Sequence, residues 1–196
     1  MSATREHIIS LADNLIRQKG FNAFSYSDVA AVLNIRNAAI HYHFPVKSLL
    51  GQAVIYEELL RMEGYRYRNA GLCGDLQLRH LVETFYQNSQ RGAVCLMGAL
   101  TPEFATFDED MQSMLQKLCV AIREWAADCL EEARASGQMQ FAGEALDRAA
   151  LLVSTLLSSL LLSRIEGQDL FRRMVDQMLE DLGAGWRTED LQGIKN

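Results

Sequence analysis

The strongest constraint on the fold lies between residues 25 and 44, in the segment SYSDVAAVLNIRNAAIHYHF. Ser25 and Asp28 have the Ser-x-x-acid spacing of a helix N-terminus that caps itself, so a helix is predicted to start there. Asn34 is one of the few residue types that tolerate a left-handed backbone, which ends that helix and lets a third one begin at once. Two helices joined by so short a turn cross at a large angle, and the segment therefore predicts a helix-turn-helix.

The third helix separates its side chains into two faces. Ile40 and Phe44 are one turn apart and are expected to face the core, whereas Tyr42 and Ala38 point nearly the opposite way. Small alanines let a helix lie close to a groove floor, and polar side chains can hydrogen-bond to phosphates or base edges. The DNA-contacting residues predicted on this helix and just after it are Arg36, Asn37, Ala38, Ala39, His41, Tyr42, His43 and Lys47.

The whole chain predicts an all-α protein of about nine helices. Its 196 residues include only two prolines, and the β-branched alternation of strands is missing. One long helix carries a single apolar seam, formed by Met111, Leu115, Leu118, Ile122, Trp125 and Cys129. The expected domains are a helix-turn-helix head (1–47), a helical body (48–186) that opens with a linking helix (48–70), and a loose tail (187–196).

Charge is unevenly distributed along this acidic chain, whose net charge is −6. Residues 1–47 hold five Lys/Arg against three Asp/Glu, which gives +2, and the remainder holds fourteen against twenty-two, which gives −8. The sequence thus predicts a small, slightly basic module on an acidic body rather than a general nucleic-acid binder.

No segment predicts export or a membrane anchor. Arg5, Glu6 and Asp13 interrupt the N-terminal apolar residues, which excludes a signal peptide and predicts a cytoplasmic protein. The apolar stretch at 150–165 contains five Ser/Thr and is shorter than the ~20 residues a span needs. A buried helix is expected there.

Catalytic and metal-binding patterns are likewise missing from the sequence. No Ser/His/Asp order, glycine-rich phosphate loop or two-histidine metal spacing is present, so no enzyme, cofactor or metal is predicted. His41 and His43 point about 200° apart on a helix and cannot chelate one ion together. The first alternative is a non-enzymatic helical interaction protein, and the second is a small helical enzyme. Neither function requires the turn at Asn34.

Aromatic and sulfur-containing residues in the body have two interpretations. They are either ordinary core or the lining of a cavity for a planar or apolar effector. Cys95 is either packed in the core or a thiol that senses electrophiles near a helix N-terminus. The candidate effector residues are Tyr86, Cys95, Met97, Phe104, Phe107, Met111, Met114, Arg123 and Trp125.

The head resembles the DNA-binding domain of the TetR/AcrR family of bacterial transcriptional repressors. The resemblance rests on S-Y-S-D-V-A followed by L-N-I-R-N-A-A-I-H-Y-H-F-P-V-K and covers about the first 50 residues. It implies a homodimer on a palindromic operator, with residues 36–43 in the major groove and Ser25, Tyr42 and Lys47 on phosphates. It also implies that Tyr26 belongs to the DNA-contacting set. Asn34, Asn37 and His41 depart from the usual pattern, which leaves the fold unaffected and bears on the operator sequence.

The same resemblance implies roles for the body. The family holds a small-molecule effector there and dimerises through its last two long helices, and the linking helix swings the head when the effector binds. The segment G-A-V-C-L-M resembles one found in members that sense reactive species through its cysteine. The implied dimer interface comprises Leu151, Ser154, Thr155, Ser158, Ser159, Leu162, Phe171, Met174 and Met178.

Overall fold

The structure, a computed structural model, describes residues 3–191. Within that range it contains nine α-helices and two short 3-10 helices, and the prediction of an all-α protein is confirmed. The α-helices are α1 (Ala3–Lys19), α2 (Tyr26–Leu33), α3 (Asn37–His43), α4 (Lys47–Arg68), α5 (Gly74–Gln90), α6 (Leu96–Leu100), α7 (Glu109–Ala135), α8 (Ala145–Glu166) and α9 (Gln168–Asp181). The 3-10 helices cover Thr101–Thr106 and Thr188–Leu191.

The predicted turn between α2 and α3 is present. Ser25 and Asp28 form a complete capping box at the start of α2. Asn34 follows the last turn with φ 53° and ψ 45°, a left-handed conformation, and the Ile35 N–H donates to the Ala30 carbonyl at 3.1 Å. These local signals end α2 and start α3 within three residues, as the sequence indicates.

The chain folds as two compact units. The head unit runs to Gly64 and includes Leu96–Cys119, and the body unit comprises Tyr65–Cys95 and continues from Val120. The head unit extends beyond residue 47 because the first turns of α4 bury Leu50, Val54 and Ile55 completely. Apolar burial of this kind is the main force that holds such a unit together.

An ion network joins α1 to α4 inside the head unit. The Arg17 side chain lies between Asp13 on its own helix and Glu58 on α4, at 2.9 Å from each. Arg61 forms an ion pair with the same Glu58, with 2.9 Å between Arg61 Nη2 and Glu58 Oε2. Because Arg17 is only 8% exposed, solvent screens its contacts less than those of a surface pair.

The apolar helix α8 is the one helix of residues 3–191 with the length and composition of a membrane span, at a mean hydropathy of 1.6. It packs along α9 and also contacts α5. Seven of its side chains, including Leu152, Leu156 and Leu160, are buried in the body unit. Burial inside the fold accounts for one face of the helix, as expected from the sequence, whereas Leu151, Leu162 and Ile165 on the rest of it are 60%, 43% and 84% exposed.

The expectation of a loose chain after Gly185 is wrong for residues 186–191. Trp186 is 3% exposed, and its indole N–H donates to Asp75 Oδ1 at 2.6 Å. The Thr188 N–H donates to Asp176 Oδ1 at 2.7 Å, and Leu191 is fully buried. Sequence distance from the last helix does not reveal such anchors; the rest of the predicted tail, 192–196, lies outside the described residues.

Candidate DNA-binding site

Helix α3 has the two faces that its sequence predicts. Ile40 and Phe44 are 0% and 2% exposed, whereas Tyr42 is 83% exposed. The other exposed residues of this segment are Arg36, Asn37, Ala38 and His41, and Ala39 and His43 are half-buried. One face thus anchors α3 in the head unit, and the other presents small and hydrogen-bonding side chains to a partner.

Helix α2 holds α3 through two side-chain hydrogen bonds. The Tyr26 hydroxyl donates to the Phe44 carbonyl at 2.8 Å, and Asn37 Nδ2 donates to Ser27 Oγ at 3.1 Å. The His41 ring also packs edge-on against Tyr26, with 4.8 Å between centroids. These contacts fix the angle at which α3 would enter a groove.

Tyr26 itself takes a different position from the rest of the predicted DNA-contacting set. It is 9% exposed, and burial raises its pKa to about 12. Because its one hydroxyl proton is donated to a backbone carbonyl, Tyr26 is placed to orient the recognition helix. Exposed residues such as Tyr42 and Arg36 are better candidates than Tyr26 for a contact with a DNA phosphate.

Ser25 is exposed at the start of α2, but its hydroxyl works within the capping box. Ser25 Oγ donates to Asp28 Oδ2 at 2.7 Å and accepts from the Asp28 N–H at 3.4 Å. The side-chain and backbone hydrogen bonds from Ser25 lower the pKa of Asp28. The Ser25 hydroxyl is thus used to stabilise the start of α2.

Lys47 closes the turn between α1 and α2. Its ammonium donates to the carbonyls of Phe21 and Phe24 and lies 4.6 Å and 4.1 Å from the centres of their rings. Burial lowers the pKa of Lys47, whereas Glu103 and Asp28 act in the opposite direction. A lysine has three N–H donors, so one remains for a phosphate after the two carbonyls are satisfied.

The same turn is held from its other side by the segment that leads into α7. Glu103 Oε2 accepts from the Asn22 N–H at 3.0 Å, and Asn22 Nδ2 donates to Thr106 Oγ1 at 3.0 Å. The Phe107 ring packs edge-on against Phe21 at 5.4 Å. The sequence analysis assigned none of these residues to the turn, and placed Phe107 among the effector candidates, because the partners lie more than 80 positions apart in the chain.

The helix-turn-helix of the head matches the model of a known family. The family model described as "Bacterial regulatory proteins, tetR family" matches residues 8–54, from α1 into the first turns of α4. These residues form a TetR-family DNA-binding domain. The prediction made from the S-Y-S-D-V-A and N-A-A-I-H-Y-H-F motifs is thereby confirmed.

Similar proteins support the same assignment beyond the head. The HTH-type transcriptional repressor NemR of Escherichia coli K12 is 26% identical over 174 residues, which cover 83% of this chain and 84% of NemR. A TetR-family transcriptional regulator from Agrobacterium tumefaciens has a similar structure, with a TM-score of 0.85 and 26% identity over 92% of this chain and 97% of that one. The crystal structure of the reduced form of E. coli NemR shares the fold, with a TM-score of 0.72 and 22% identity over 91% and 97% of the two chains. These relatives are transcriptional regulators and not enzymes.

The candidate effector residues fall into both units. In the head unit, Met97, Phe107 and Met111 are buried, and Phe104 and Met114 are half-buried. In the body unit, Tyr86, Cys95 and Trp125 are buried, and Arg123 is half-buried with its Nε atom out of contact with any hydrogen-bond partner. The candidate set is therefore divided between the two units.

The body unit also has an open cavity of about 290 Å³ where α5 and α8 end and α9 begins. It is lined by Ser89, Gly92, Ala93, Leu160, Ser163, Arg164, Gly167 and Gln168. None of the candidate effector residues belongs to this lining. The cavity is thus a feature that the sequence analysis did not indicate.

The predicted dimer residues divide by exposure. Phe171 is fully buried and Ser159 is 1% exposed, so the core of the protomer leaves them no surface to offer a partner. Leu151, Leu162 and Met174 are 60%, 43% and 41% exposed. Ser154 and Ser158 are exposed, and Thr155 and Met178 are half-buried.

Proposed function

We propose that this TetR-family regulator is a cytoplasmic, homodimeric repressor that binds a palindromic operator. The exposed face of α3 carries the proposal. The side chains of Tyr42, Asn37 and Arg36 project into solvent there, beside the small residue Ala38. Ile40 and Phe44 anchor the opposite face in the core. Side chains such as those of Tyr42, Asn37 and Arg36 donate to phosphates and base edges in the major groove. The similarity to NemR, a transcriptional repressor, supports repression over activation.

The proposed dimer forms through the outer faces of α8 and α9. Leu151, Leu162 and Met174 leave apolar surface exposed there, and Ser154 and Ser158 lie one turn apart between them. Small polar residues beside exposed leucines suit close packing of helices. A twofold dimer would present two copies of α3 to successive major grooves.

Release from DNA is proposed to follow binding of a small-molecule effector or modification of a cysteine. Helix α4 is continuous from Lys47 to Arg68, so it can carry a change in the body to the head. Cys95 and Cys129 are only 7% and 2% exposed, and burial raises the pKa of Cys129 to about 12. Buried thiols react slowly, which favours an effector over direct oxidation.

The test is fluorescence anisotropy of the purified protein on its own upstream DNA and on a scrambled duplex, with and without a mild thiol oxidant. Tight binding to the upstream DNA alone would support the operator proposal, and equal binding to both duplexes would count against it. If oxidation releases the protein, Cys95→Ser should prevent release when Cys95 is the sensor. Release that persists in Cys95→Ser would eliminate that cysteine.

Lys47→Ala is expected to weaken binding to all DNA sequences alike. The substitution removes one candidate phosphate contact, which corresponds to a fall of about one unit in the salt dependence of log K. It also removes the two hydrogen bonds to Phe21 and Phe24, so thermal unfolding should be measured in parallel. Lys19→Ala, an exposed lysine at the end of α1, is the control, and a salt slope that is unchanged in Lys47→Ala would exclude a phosphate contact.

A further inference from the structure

A carboxylate without a cationic partner is buried in the body unit. Glu83 on α5 is 7% exposed, and its Oε1 accepts from Gln87 Nε2 at 2.9 Å. Its Oε2 is buried and contacts no hydrogen-bond donor. None of the ion pairs among residues 3–191 includes Glu83. Buried carboxylates are normally paired, so this one indicates a place for a positive charge.

His80 lies one turn before Glu83 on α5, is affected electrostatically by its carboxylate, and packs against a pair of aromatic rings. Gln77, His80 and Glu83 succeed one another at three-residue steps along α5. The Tyr65 ring lies 5.2 Å from the His80 ring and 5.4 Å from the Trp125 ring, centroid to centroid. The Trp125 indole N–H is held by Gln77 Oε1 at 3.3 Å. We name these five residues, Tyr65, Gln77, His80, Glu83 and Trp125, the Glu83 cluster.

A second polar atom of the Glu83 cluster also lacks a partner. The Tyr65 hydroxyl is buried without a hydrogen bond, and burial raises the pKa of Tyr65 to about 12. It therefore stays protonated and can donate to, or accept from, a bound molecule. A polar group of a ligand could form the hydrogen bonds that Glu83 Oε2 and the Tyr65 hydroxyl lack.

The charged and titratable side chains around the cluster do not neutralise Glu83. Burial lowers the pKa of His80, with Glu83 acting in the opposite direction, so His80 is a weak source of positive charge at neutral pH. Arg79, one turn before Glu83, lies 3.8 Å from Asp75 and stacks over Trp186. Neither His80 nor Arg79 therefore supplies Glu83 with a counter-charge, and Arg68, which acts on Tyr65, forms no ion pair with Glu83 either.

We propose that the Glu83 cluster is the recognition site for the effector, and that the effector is an organic cation with a protonated amine on an aromatic body. The ammonium would pair with Glu83 Oε2, and the rings of Tyr65 and Trp125 would contact the aromatic part and the charge. This inference rests on the proposed function and specifies its ligand class. An anionic ligand would meet the carboxylate unfavourably, and a neutral one would leave Glu83 without a counter-charge.

The test compares three ligands that share one body and differ in charge. The binding of 1-naphthylmethylamine, 1-naphthalenemethanol and 1-naphthoate to the full-length protein is measured by isothermal titration calorimetry at neutral pH. The amine is expected to bind at least tenfold more tightly than the alcohol, and the naphthoate is expected not to bind. Equal affinity for amine and alcohol, tighter binding of naphthoate, or absence of amine binding at millimolar concentration would each overturn the proposal.

The matched variants are Glu83→Gln and Glu124→Gln. Glu83→Gln removes the charge but keeps an oxygen for Gln87, so amine affinity should fall at least tenfold while alcohol affinity stays the same. Glu124 is exposed on α7, and its variant should bind like the wild type. Undiminished amine binding by Glu83→Gln would overturn the proposal; if that variant does not fold, the ranking of the three ligands on the wild type decides alone.

Operator binding is measured separately on the same preparations, without ligand. If the protein binds its operator selectively but does not bind the amine, the proposal of a cationic effector is wrong and the repressor proposal is unaffected. Amine binding by a protein that shows no selectivity for its upstream DNA would do the reverse. The two proposals can therefore fail independently.

Discussion

Tyr42→Ala is expected to weaken operator binding about 10- to 100-fold and to leave thermal stability unchanged. Tyr42 is 83% exposed at the outer face of α3, so its removal leaves the core of the head unit intact. A hydrogen bond to a charged group contributes about 1.5–3 kcal/mol, and each 1.4 kcal/mol corresponds to about a factor of ten in affinity. Fluorescence anisotropy on the operator and circular dichroism melting measure the two quantities.

Tyr67→Ala is the matched control for this prediction. Tyr67 is 86% exposed on α4, and it lies outside the residues that the family model matches. The substitution removes the same side chain from an equally exposed position, so operator affinity should stay within twofold of the wild type. Equal losses in both variants would mean that exposed tyrosines act non-specifically, and unchanged affinity in Tyr42→Ala would reject α3 as the recognition helix.

Gly74→Ala is expected to lower the free energy of unfolding by about 3 kcal/mol or more, the upper range for overpacking in a tight core. A Cβ at Gly74 would lie 2.2 Å from the Cys129 carbonyl oxygen, 2.9 Å from Glu132 Cβ and 3.0 Å from the Ala133 nitrogen. Two of these atoms belong to the backbone of α7, which cannot rotate away as a flexible side chain can. The start of α5 would have to move away from α7, and differential scanning calorimetry should show a melting temperature lower by roughly 10 °C.

Gly71→Ala controls for the general effect of replacing a glycine near this turn. No atom lies within 4 Å of a Cβ built at Gly71, so the unfolding temperature should stay the same or rise slightly through the loss of backbone freedom in the unfolded chain. A melting temperature for Gly74→Ala equal to that of Gly71→Ala would show that α5 and α7 are not in close backbone contact there.

The helix-turn-helix could be predicted because its signals are local. The Ser25–Asp28 box, the left-handed Asn34 and the Ile40–Phe44 pair each depend on residues within a few positions of one another. Capping, backbone preference and helical periodicity act at that range. About twenty consecutive residues are therefore enough to predict the helix-turn-helix.

Residues whose roles depend on distant partners could not be assigned in the same way. Tyr26 and Lys47 stand in the DNA-contacting motif, yet in the structure one donates to the Phe44 carbonyl and the other to two carbonyls of the α1–α2 turn. A carbonyl has no sequence signature, because every residue has one. Whether a polar side chain in the motif faces DNA or its own backbone is a matter of packing.

For this protein, the sequence by itself determined the helical class, the position of the turn at Asn34 and which face of α3 is buried, since periodicity and capping act between near neighbours. Only the tertiary structure decided that Phe171 and Ser159 belong to the protomer's core, that Trp186 anchors the chain to Asp75, and that Glu83 is buried without a counter-charge. Each of these depends on contacts between residues far apart in the chain, and such contacts arise only when whole helices pack.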